Sequence, residues 1–121
     1  MQIKQQIIVF DAADLDAESE FWAAVLGGSV SADDEWHTVH DADKTPRIGV
    51  QLAPDHIRPD WPNGTPQQIH LDLYVDDITT AHDEVTALGA TLLQAYDPDH
   101  KYRFQVYADP AGHPFCLCWG D

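Results

Sequence analysis

Residues 70–74 read His-Leu-Asp-Leu-Tyr, a strict alternation of polar and apolar side chains. On a β-strand such alternation sends His70, Asp72 and Tyr74 to one face and the leucines to the other. An imidazole, a carboxylate and a phenol in one row make a hydrogen-bonding or general acid/base set, with His70 and Asp72 as proton carriers and Tyr74 as a ligand contact. The bland alternative is a His–Asp pair that satisfies itself beside a tyrosine reaching water. A second chemical stretch lies at 115–119, Phe-Cys-Leu-Cys-Trp, where both cysteines of the chain sit two residues apart. The same period of two puts Cys116 and Cys118 on one side and Phe115, Leu117 and Trp119 on the other. Their Cα spacing is near the upper limit for a disulfide, so free thiols in a reducing compartment are expected. Three roles stand open for them: metal ligands together with His70, a nucleophile at Cys116 activated by His70, or small polarizable packing residues. Packing asks for the fewest further conditions.

The elements that must position these residues occur twice. Residues 5–15 and 68–78 both read as a strand followed by an acidic helix cap, with Asp14 matching Asp77 and Ile7 matching His70. The first helix has an apolar stripe of Leu15, Phe21, Trp22, Val25 and Leu26, ended by Gly27-Gly28. The second carries Ile78, Ala81, Val85 and Leu88, ended by Gly89. Two hairpin turns also match, with Asp41 on Asp109, Pro46 on Pro114 and Ile48 on Cys116. Each half therefore reads β-α-β-β-β. The inner face of the second half's first strand, Ile69, Leu71, Leu73 and Val75, is expected under the helix. The remaining histidines have no spacing that focuses them on one point, and His113 is placed to shape a turn.

Twenty-one acidic residues against six basic ones give a formal net charge of −15. That field repels nucleic acid and anionic membrane and attracts cations, so neither a nucleic-acid nor a membrane partner is expected. No signal peptide and no apolar run of membrane-spanning length is read, which makes a cytoplasmic location the expectation. Trp36 and Trp61 are candidate ligand-binding aromatics for a planar or cationic molecule.

Three segments, DLDAESEFWAAVLGG, HLDLYVDDITTAHDEVTALGA and VYADPAGHPFCLCW, resemble the vicinal-oxygen-chelate superfamily of glyoxalases, bleomycin-resistance proteins and dioxygenases, and most nearly its glyoxalase-like domain proteins. The resemblance spans nearly the whole chain. It implies an α+β fold in which two βαβββ modules form a curved eight-stranded mixed sheet around a cleft. A single domain over 1–121 is expected, with modules at 1–53 and 68–121 and a Pro-rich connector at 54–67. It also implies homodimers, and in many members a divalent metal (Zn, Ni, Mn or Fe) held by one side chain from each of four strands. Carried across, those positions fall on Ile7, on Ile48 or Gln51, on His70 and on Cys116. Only His70 keeps the usual ligand type, so no metal is assigned, with His70 and Cys116 as its ligands if one binds. Three functions follow. The first is a small-molecule binder lacking the full metal set, for a cationic or aromatic ligand lined by Tyr74, Cys116, Cys118, Trp36 and Trp61. The second is a metal-dependent lyase, isomerase or dioxygenase acting on a small carbonyl or vicinal-oxygen substrate. The third is a ligand-free dimerisation module.

Overall fold

A computed structural model describes residues 1–120 of the chain. It divides into two compact units, Met1–Ile57 and a second from Arg58 onward. In the first, β1 (Ile8–Ala12) is followed by α1 (Leu15–Leu26), β2 (Ser29–Ala32), β3 (Trp36–His40) and β4 (Pro46–Leu52). In the second, β5 (Leu71–Tyr74) is followed by α2 (Ile78–Ala87), β6 (Thr91–Gln94), β7 (Phe104–Ala108) and β8 (Pro114–Cys118). The sheets run β1-β4-β3-β2 and β5-β8-β7-β6, so the two units share one topology. In each, the first strand pairs parallel with the last and the other pairings are antiparallel. Among the described residues, no helix is long and apolar enough to cross a membrane.

Local chemistry starts and stops both helices at the expected places. Asp14 accepts a hydrogen bond from the Ala17 N–H at 3.0 Å, and Asp77 accepts from Thr79 and Thr80 at 3.0 and 3.2 Å. Each carboxylate thereby satisfies backbone donors that the first helical turn leaves unpaired. Gly27 closes α1 at φ 66°, a left-handed conformation that costs glycine little. The matched turns are also built alike. Asp41 accepts from the N–H groups of Asp43 and Thr45, and Asp109 from those of Ala111 and His113. At this turn the His113 carbonyl accepts from the Asp109 N–H.

Packing follows the helix-facing side of each sheet. Trp22 is fully buried on α1, in ring contact with Phe10 and Phe21 at 5.6 and 5.1 Å. His37 is also buried on this side, with Nδ1 2.8 Å from the Ser19 hydroxyl. In the second unit Tyr107, Phe115 and Leu117 are buried, and Tyr107 stacks on Phe115. The Tyr107 hydroxyl accepts from Gln105 Nε2 and meets His82 Nδ1 at 2.8 Å, satisfying a polar atom inside the core.

Two expectations fail here. Ile69 is exposed, because β5 begins only at Leu71 and two residues earlier the chain has left the sheet. Ile48 is buried against the helix side instead of matching Cys116. A register shift between Val39 and His40 inserts one extra residue in β4, so Ile48 pairs with Val39 and Pro46 with His40. A single inserted residue sends every following side chain to the opposite face.

Candidate functional site

The second sheet has α2 on one side. Its other face begins with His70, just before β5, and continues through in-register rows. Asp72 pairs with Cys116, which pairs with Val106; Tyr74 pairs with Cys118, which pairs with Phe104. Residues in register share a face, so the row read from 70–74 and the two thiols stand together. They line a cavity of about 860 Å³, to which Trp61, Tyr102 and Trp119 add aromatic surface. Trp61 also packs on the small cluster of Val106, Cys116 and Cys118. The trio is graded in exposure: the His70 and Asp72 side chains are 37% and 44% exposed, while Tyr74 is 78% exposed at the rim.

His70 Nε2 lies 3.2 Å from Asp72 Oδ1. A carboxylate this close holds the imidazole in one orientation, the arrangement a proton carrier needs. Cys116 is only 5% exposed and both cysteines are free. Burial pushes the Cys116 thiol up to about 12; the Asp72 charge, Cys118 and a hydrogen bond to Asp72 act in the same direction. Burial and then the Asp72 charge also push Cys118 up. A thiol held in its protonated form is a poor nucleophile, which weighs against the Cys116–His70 nucleophile reading. Gln67, a lining residue, has its Oε1 shielded from solvent with no hydrogen-bond partner among the described residues.

The metal reading meets a mixed donor set. One ligand atom each from His70, Asp72 and Cys116 lies within 4.8 Å of the others, giving nitrogen, oxygen and sulfur donors. In the first unit the corresponding face offers less. Ile7 has no donor atom, and Gly49, opposite Val9, stands where the second unit has Cys116 opposite Asp72. Gln51 falls on the same face, opposite Asp11. Of the positions implied by the resemblance, Ile7 offers no donor and Gln51 offers an amide, while the His–Asp–Cys group of the second unit suits a borderline divalent cation such as Zn²⁺.

Trp36, expected to contact ligand, lies in the first unit across Gly49, where a Cβ would fall 2.3 Å from its Cζ2, and its Nε1 donates to Thr38 Oγ1. Trp119 was expected on the helix side of β8. The strand ends at Cys118, and Trp119 instead lines the cavity, edge-on to Tyr96 at 5.1 Å. Lys101, Tyr102 and Arg103 also line the cavity, and the sequence reading passes over them. The signal available was compositional: His-Lys-Tyr-Arg-Phe at 100–104 is a basic and aromatic run in a strongly acidic chain.

With this geometry, the comparisons with known proteins are direct. A glyoxalase-like domain family model matches residues 7–118, and the chain belongs to that family. Among solved structures it is similar to a glyoxalase/bleomycin resistance protein/dioxygenase family enzyme from Burkholderia phytofirmans PsJN, with 20% identity, TM-score 0.68 and coverage of 93% of this chain and 95% of that one. It is similar also to the fosfomycin resistance protein FosX from Listeria monocytogenes, complexed with Mn(II) and sulfate, at 15% identity, TM-score 0.73 and coverage of 100% and 93%. A glyoxalase-related enzyme from Fulvimarina pelagi matches at 19% identity, TM-score 0.67 and coverage of 98% and 89%. No curated protein matches. These likenesses establish the α+β glyoxalase-like fold of paired βαβββ units.

Proposed function

We infer that this chain binds a small aromatic molecule in the cavity of its second unit, with His70 and Asp72 as the groups that hydrogen-bond to it or move a proton, and without a four-residue metal set. The observation that carries this reading is the meeting of the His70–Asp72 pair with aromatic wall and neutral thiols in one cavity of about 860 Å³. Ligand sites are typically apolar hollows of this size with a few converging polar groups. Of the two ligand characters expected, the lining supports the aromatic one. The cationic one rests on the overall charge and on tryptophan faces, and the Lys101 and Arg103 side chains in the lining oppose it. Free thiols agree with a reducing, cytoplasmic setting, and a homodimer is proposed on family resemblance. The test is tryptophan fluorescence and calorimetry with a panel of bicyclic aromatic compounds. Saturable quenching that Trp61→Ala weakens and His70→Ala alters supports the reading; a panel that neither quenches nor shifts the melting temperature rejects it.

A second reading is favoured by the His70, Asp72 and Cys116 group: a divalent cation held there in a lyase, isomerase or dioxygenase. When bound, such an ion supplies a Lewis acid for adjacent substrate oxygens. The chain's own part would be to hold it with these three side chains and to present Tyr74 and the aromatic wall to the substrate.

A further inference from the structure

Of the six basic residues in this chain, two, Lys101 and Arg103, line the cavity, although acidic residues outnumber basic ones by 21 to 6. Asp72 is the single carboxylate in the lining among the described residues. Placement by chance in so acidic a chain would favour the opposite balance. Among the described residues neither cation is in a salt bridge. The Lys101 ammonium lies 5.2 Å from the centre of the Tyr102 ring, and the Arg103 side chain runs beside Gly120.

The strand register separates these cations from the His70–Asp72 pair. Asp72, Cys116 and Val106 form one row of the sheet, and Tyr74, Cys118 and Phe104 the next. Arg103 follows at the far end, its carbonyl accepting from the Trp119 N–H. From Val106 to Arg103 is three residues, about 10 Å along an extended chain. Phe104, Tyr102, Trp119 and Trp61 supply aromatic wall to the same cavity, Trp61 against the Val106, Cys116 and Cys118 cluster. The cavity therefore has two chemically distinct poles, a proton-carrying carboxylate–imidazole pair and a cationic pair, joined by aromatic surface.

We propose that the ligand is an aromatic anion, a flat ring system bearing a carboxylate or similar group. Its anionic end lies at Lys101 and Arg103, and its far end, with a hydrogen-bonding oxygen or nitrogen, at His70 and Asp72. The inference rests on the aromatic-ligand reading and deepens it by fixing charge and orientation. A guanidinium and an ammonium on an aromatic wall pair with a carboxylate and strengthen stacking on its ring. The net negative charge does not defeat this, because charges farther than about 8 Å are largely screened at physiological ionic strength.

Calorimetry with three probes of one shape, 2-naphthoate, 2-naphthamide and 2-naphthylmethylammonium, tests it. Naphthoate is expected to bind at least tenfold more tightly than the amide, and the ammonium most weakly. In K101Q/R103Q, which changes two exposed side chains and should leave the melting temperature unmoved, the naphthoate advantage should fall to less than threefold while amide binding persists. R103K alone should keep most of it. Equal binding of naphthoate and naphthamide overturns the anion assignment and leaves the aromatic cavity standing. Tightest binding of the ammonium overturns it in favour of a cationic ligand. Failure of all three to bind removes the cavity reading, and this inference with it.

Discussion

At Asp72 two functions compete for one carboxylate. It stands 3.2 Å from His70 Nε2 and also accepts from the Cys116 thiol, whose ionisation it opposes. With that thiol near 12, its thiolate at pH 8 is roughly a thousandfold scarcer than that of a free cysteine titrating near 8.5. Iodoacetamide at pH 8 should therefore modify Cys116 far more slowly than a free thiol. Asp72→Asn should speed modification by removing the charge, and mass spectrometry of the labelled peptide reads both rates. The metal reading makes a separate prediction at the same residues. Added Co²⁺ should produce a near-ultraviolet sulfur-to-metal absorption band that Cys116→Ser abolishes and Cys118→Ser leaves. Mn²⁺ should bind more weakly, since a thiolate favours softer metals. A band that survives Cys116→Ser would assign the metal elsewhere.

One inserted residue in β4 shifts which side chains of the first unit share a face, relative to the second unit. Where the second sheet has a cysteine at the matching position, the first has Gly49 with the Trp36 indole lying across it. On that face of the first sheet Gly49 and Trp36 stand beside Asp11 and Gln51, and the cysteine has no counterpart. Gly49→Ala would place a methyl group 2.3 Å from Trp36 Cζ2. It should displace that ring, shift tryptophan emission and cost about 1–3 kcal/mol in denaturant unfolding, the usual penalty for overpacking. An unchanged emission spectrum and midpoint would mean that the indole does not rest on the glycine. At this scale the repeat was legible in the chain, because caps and turns are local. Asp14 and Asp77 each bond to amides two or three residues ahead, and Asp41 and Asp109 each close a turn within four residues. The bulge was not legible, since it appears only when β4 is laid against β3.

For the whole molecule, buried neutral thiols tie stability to alkaline pH. Burial raises both cysteines above the value of about 8.5 expected in the unfolded chain. Between that value and the folded one, the native state holds these protons more tightly than the unfolded state does. Their contribution is thus fully present below about pH 8.5 and is lost as pH rises toward the folded value. Urea midpoints measured from pH 7 to pH 10.5 should fall over the upper part of that range, and Cys116→Ser should flatten the decline. A slope identical in that variant would place the titrating groups elsewhere.

The chain by itself determined the βαβββ repeat, both helix caps, the paired turns, the burial of Trp22 and the common face of His70, Asp72 and Tyr74. All of these follow from contacts within a few residues or from the period of the strand or helix. The tertiary structure alone decided that Cys116 stands beside Asp72, that Ile48 turns inward, that Trp119 leaves the helix side, and that Lys101 and Arg103 reach the cavity. Strand alternation assigns a face only while the strand lasts and its register holds. Past a bulge or a strand end, a side chain's direction depends on backbone distant in sequence, and local pattern carries no record of it.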